Sequence, residues 1–126
     1  MDSRRYLDWY DKALKDFRGA EILYDSDADN SLVAFHCQQA IEKMLKGYIL
    51  KNTEQLLEGH SLIFLIRRAS RFDDEIRKFT KDCAFVNQFY IETRYPADIP
   101  DEVDDFEENE CVQTAKEVLK YIAEKE

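Results

Sequence analysis

The polar side chains best suited to chemistry in this 126-residue chain fall in three short stretches. The segment FHCQQAIEKMLKGYIL, residues 35–50, carries Gln38, Glu42 and Lys46 at four-residue spacing. His60 follows in GHSL, and Tyr90, Arg94 and Tyr95 stand in YIETRYP. A guanidinium and an ammonium brought together would pair with phosphate oxygens. Tyrosine and histidine rings would bond to or stack on a flat ligand. Each residue also has an ordinary role open to it. Glu42 and Lys46 form an i,i+4 pair in the favoured orientation. Gln38 can bridge two helices, His60 can cap one, and Arg94 suits the last turn of a helix.

Five helical stretches must position these groups. The first runs from about Ser3 to Tyr24, with Tyr6, Tyr10, Ala13, Phe17, Ala20 and Tyr24 at helical spacing. DSDADNS breaks it and supplies caps for a second helix, about Ser31 to Lys51. A loop, NTEQLLEGH, leads to a shorter third helix, SLIFLIRRASRF. Asp73 and Asp74 start a fourth, which ends before Pro96 because a residue preceding proline is pushed out of the helical region. An acidic connection, residues 98–108, precedes a last helix from about Asn109 to Glu124, with Val112, Ala115, Leu119 and Ile122 on one face.

On the second helix, apolar residues from Val33 to Ile49 fill an arc of roughly 220°, wider than a surface helix needs. Gln38 and Glu42 fall inside that arc and Lys46 just past its edge, while Gln39 and Lys43 sit toward solvent. Polar groups inside an apolar arc need partners. The fourth stretch lines up Ile76, Phe79, Cys83, Val86, Tyr90 and Arg94, with Asn87 alongside. The expected fold is all-α, a single domain over 1–126. It is an up-and-down bundle of four long helices and one shorter one. Alternating directions would gather Lys46, His60, Tyr90, Arg94 and Tyr95 at one pole, with Glu42 one turn inward. Such a convergent polar cluster in an apolar frame is the usual form of a small-molecule site.

Composition narrows the classes. A net charge of −9 and a pI near 4.8 argue against a broad nucleic-acid surface. No apolar run approaches the roughly 20 residues of a membrane span. MDSRRYLDWYDKALKDF lacks the apolar segment of a signal peptide, so a cytoplasmic protein away from membranes is expected. Cys37, Cys83 and Cys111 form no C-x-x-C pair, and neither histidine has Glu three residues before it, so neither a metal nor a cofactor is expected. Tyr6, Leu7, Trp9, Tyr10, Leu14 and Phe17 spread over more of the first helix than one core contact requires. That points to an interface, expected to be that of a homodimer.

In order and spacing, Q-A-I-E-K-M-L-K (39–46), H-S-L (60–62) and Y-I-E-T-R-Y-P (90–96) resemble a prokaryotic HEPN domain over nearly the whole chain. Gly47 departs from the alanine often found there and would permit a close helix contact. The resemblance implies a four- or five-helix bundle that commonly dimerises. It also implies a neighbouring or fused minimal nucleotidyltransferase, as in two-component toxin–antitoxin pairs. Some members are ribonucleases with an Arg-x4–6-His motif. Here the slots before His36 hold Asp29, Asn30 and Ser31, and those before His60 hold Thr53, Glu54 and Gln55, so the motif is absent. The implied function is a binding domain that partners the nucleotidyltransferase and holds a nucleotide. Lys46 and Arg94 would meet phosphate, Glu42 would orient them, and His60 and Tyr95 would bond to or stack on the base. Two alternatives stand beside it: a metal-independent ribonuclease toxin with His60 and Arg94 joined in space, and a structural dimeric adaptor whose cluster locks the bundle.

Overall fold

The structure is a computed structural model that describes residues 5–90 and 103–125. It is all-α: α1 (Tyr6–Asp25), α2 (Asn30–Thr53), α3 (Leu62–Ala69), a 3-10 helix (Asp74–Phe79), α4 (Thr80–Asn87) and α5 (Asp105–Ala123). No strand occurs among the described residues.

The starts of α2, α3 and α5 are each marked by a side chain that satisfies orphan backbone amides. Asp29 accepts from the amides of Ser31 and Leu32 at the head of α2. Ser61 accepts from Phe64 at the head of α3. Asp104 and Glu107 form a reciprocal capping box on α5, which therefore begins four residues before the expected Asn109. The short turn between α1 and α2 makes them antiparallel, with Asp27 taking a left-handed conformation at φ 58°.

Helix α2 is the axis of the molecule. From Val33 to Leu50 it is buried except at a few half-exposed positions, and α1 and α5 cover two of its sides. Ile41, Met44, Leu45 and Ile49 are among its fully enclosed side chains. Each such burial is worth about 1.5–3 kcal/mol against exposure. Gly47 marks a close approach of α2 to α1. A Cβ there would lie 2.8 Å from Cδ1 of Tyr10 and 3.0 Å from Cβ of Trp9. The Tyr10 ring thus fills the notch that Gly47 leaves, although its hydroxyl is buried without a hydrogen-bond partner. Burial also pushes that phenol's pKa upward. Leaving a buried hydroxyl unmet costs about 1–3 kcal/mol, so ring packing at this contact outweighs it.

The fourth stretch differs from expectation. It divides into the 3-10 helix and α4, which stops at Asn87, so Tyr90 lies beyond helical backbone. Its stripe is kept: Ile76, Phe79, Cys83 and Val86 are all buried. Of the five α-helices among the described residues, three are long and two have eight residues.

Candidate functional site

Glu42 is the centre of a polar cluster set into the wall of α2. Its residue exposure is 4%, and those of Gln38 and Lys46 are 0% and 7%. The spacing explains this: positions 38, 42 and 46 share one face of a helix, and that face is covered. Gln39 and Lys43 are half-buried, more open than Gln38 and Glu42 as the helical arc predicts. Lys46, expected at the arc's edge, is buried as well.

Both carboxylate oxygens of Glu42 are engaged. Oε2 accepts from Nζ of Lys46 at 3.1 Å, and Oε1 lies 2.9 Å from Nδ1 of His60. Nε2 of Gln38 donates to the backbone oxygen of His60 at 3.0 Å and more weakly to Oε1 of Glu42 at 3.4 Å. Nε2 of Gln39 donates to Oε1 of Gln38 at 2.8 Å. Lys43 reaches across to Asp16 of α1 and makes a long contact with Oε1 of Gln39, extending the network to the neighbouring helix. The cluster is thereby satisfied rather than strained, which is what burial of polar groups demands.

His60 reaches Glu42 because the loop after α2 doubles back. Eleven residues of helix separate Glu42 from Thr53, about 16 Å, and Gln38 lies about 22 Å from that end. Seven residues from Thr53 to His60 can span at most about 25 Å. The loop therefore runs back along α2 nearly extended. Gly59, with φ 95°, supplies the left-handed backbone that turns His60 inward just before α3 begins. The cluster accordingly lies at the waist of α2, whereas alternating helix directions had suggested its pole.

A carboxylate only accepts hydrogen bonds, so Nδ1 of His60 carries a proton, and in the neutral ring Nε2 is the acceptor. The His60 side chain is 44% exposed, so this outer edge of the ring meets solvent. Tyr90 stacks on the same ring with centroids 4.2 Å apart and planes tilted by 16°, and Phe35 flanks Tyr90 at 6.2 Å. Asn87 joins the two flanking elements: its Oδ1 accepts from the amide of Leu62 at 2.9 Å, tying the end of α4 to the start of α3. Gln38, Glu42, Lys46, His60 and Tyr90 thus come together. Arg94 and Tyr95 lie outside the described residues.

Sequence reasoning missed a second cluster. Oδ2 of Asp73 accepts from the Tyr121 hydroxyl and from Nζ of Lys125, each at 2.5 Å. These bonds hold the Asp73 carboxyl at about 2, below its usual 3.8. The available signal was Tyr121 and Lys125 four residues apart, straddling the C-terminal end of α5. Among the described residues, no group of three or more His, Cys, Asp or Glu side chains could hold a metal ion, and no helix is long and apolar enough to cross a membrane.

Comparison with known proteins places this arrangement in context. The family profile of the HEPN domain matches residues 6–125. Among solved structures, the chain is similar to TT1696 from Thermus thermophilus, with 27% identity and a TM-score of 0.83 over 97% of this chain and 98% of that one. It is also similar to ST0689, an archaeal HEPN homologue, with 22% identity and a TM-score of 0.74 over 98% and 97% of the two chains, a likeness of fold alone. No curated protein matches the chain.

Proposed function

Because the chain belongs to the HEPN domain family, we propose that its Glu42 cluster serves as the base of a nucleotide site in a domain that partners a minimal nucleotidyltransferase. The carrying observation is the way a fully bonded, buried Glu42 presents the His60–Tyr90 stack at the surface. Lys46 balances the carboxylate from inside, and Arg94, outside the described residues, is the cation assigned to phosphate. The exposed ring edge of His60, with Tyr90 and Tyr95, supplies hydrogen bonding and stacking for the base. Gln38 positions His60 through its backbone oxygen.

Calorimetric titration with AMP and ATP tests the reading. Arg94→Ala should weaken binding at least about tenfold while leaving the melting temperature close to that of the parent, and His60→Ala should weaken binding as much while also lowering the melting temperature, because it takes a partner from Glu42. Absence of binding by the parent at millimolar nucleotide would overturn it in favour of a structural adaptor. Co-purification with the product of an adjacent nucleotidyltransferase gene tests the partnership, whose setting would be a toxin–antitoxin pair.

A second reading, a metal-independent ribonuclease, is favoured by one feature. Glu42 on Nδ1 of His60 leaves Nε2 facing outward, the geometry of a general base. RNA cleavage by purified protein, lost in His60→Gln, would select this reading. The exposed apolar face of α1 supports a homodimer in either case.

A further inference from the structure

The outer face of α1 carries a pattern that the Glu42 cluster does not use. Leu7, Asp11, Leu14, Arg18 and Ile22 follow one another at i, i+4, i+7, i+11 and i+15, a single row along the helix. Leu7, Leu14 and Ile22 are 52%, 48% and 51% exposed, and the Asp11 and Arg18 side chains 64% and 71%. The opposite face, through Trp9, Ala13 and Ala20, is buried against the core. The row therefore has apolar residues at its ends and middle, with an acid and a base between them at matching distances from the centre.

Such a row is complementary to itself read backwards. When two copies of α1 lie antiparallel about a two-fold axis with Leu7 opposite Ile22, Asp11 falls opposite Arg18. Leu14 then sits beside the axis, next to its own symmetry mate. Sliding one copy by a turn sets Leu7 against Arg18 or Asp11 against Ile22. A parallel arrangement sets Asp11 on Asp11 and Arg18 on Arg18. Only the first register matches apolar to apolar and acid to base, and mismatches of the other kinds are what select one pairing. A membrane surface is the wrong occupant, because interfacial helices flank their apolar face with lysine and arginine. Here Asp8, Asp11 and Glu21 alternate with Arg5, Lys15 and Arg18.

We propose that α1 pairs antiparallel with α1 of a second copy of this chain, in the register Leu7 to Ile22 and Asp11 to Arg18. This rests on the homodimer reading above and deepens it by assigning the face and the alignment. The contact is isologous, so each copy supplies both ends of the row.

Sedimentation velocity of the full chain, at concentrations up to about 100 μM, tests it. The parent should sediment as a dimer of 15.0 kDa chains. Asp11→Arg and Arg18→Asp should each weaken the dimer at least about tenfold by setting like charges face to face, twice per interface. The combined Asp11→Arg, Arg18→Asp variant should return to within about threefold of the parent. In the parent, Asp11 pairs with Lys15 and Arg18 with Glu21 along the helix. Those internal pairs are broken just as fully in the double variant, so rescue can come only from across the two helices. A dimer indifferent to both single changes would overturn the proposed face and leave the homodimer standing. A monomeric parent would overturn both.

Discussion

Glu42 and Asp73 are built from the same parts. Each carboxylate accepts from a lysine ammonium and from a ring-bearing side chain, His60 in one case and Tyr121 in the other. They differ in what surrounds them. The Glu42 and Lys46 side chains are 5% and 8% exposed and share one helix. Those of Asp73 and Lys125 are 16% and 26% exposed and lie 52 residues apart in the chain. The first cluster is enclosed by the core and turns a histidine outward. The second closes the last turn of α5 onto the start of the 3-10 helix. Lys78 and Lys125 also lie near the Tyr121 ring, 4.3 and 5.1 Å from its centroid. Burial decides the consequence: a lost partner inside leaves a charge that water cannot reach, and a lost partner at the edge does not.

The largest expected effect follows directly. Glu42→Ala leaves the Lys46 ammonium buried and unpaired, and breaking such a pair typically costs about 3–5 kcal/mol. Replacing both partners by Glu42→Leu and Lys46→Met should recover most of it, since an apolar pair of similar volume carries no desolvation penalty. Urea unfolding measures both. Asp73→Asn should cost only about 1 kcal/mol, because its partners can turn to solvent. Equal losses at the two sites would erase the distinction between them. The smallest effect is in pH. The Asp73 carboxyl is depressed when folded, so its stabilising contribution is complete above the usual 3.8 and lost as pH falls through about 2. The gap in melting temperature between the parent and Asp73→Asn should therefore narrow from about pH 4 toward pH 2. A gap unchanged across that window would remove the linkage.

How much of this was legible depended on the range of the interactions involved. The burial of Gln38 and Glu42 follows from helix geometry alone, because their neighbours on the wheel are apolar. Lys46 was harder to place, since what covers it comes from outside α2 and a single-helix projection cannot see that. The break at residues 74–79 was hidden for a different reason. Positions i and i+3 fall on one side of both a 3-10 helix and an α-helix, so Ile76 and Phe79 fit either. The stop at Asn87 coincides with a bond from its side chain to Leu62, 25 positions away, which no local pattern reveals. The Asp73 cluster spans still more chain, and Lys125 read alone looks like a terminal residue. The glycine at 47 was informative because absence of a side chain in a helix interior has few explanations besides close approach.

That close approach has a mechanical consequence. With the Tyr10 ring seated in the Gly47 notch and Trp9 against the same spot, α1 cannot roll about its own axis without driving a ring into α2. One degree of freedom that a surface helix normally keeps is removed. The outer row is consequently held at one angle, and a surface that meets it gains the contact without first having to order the helix.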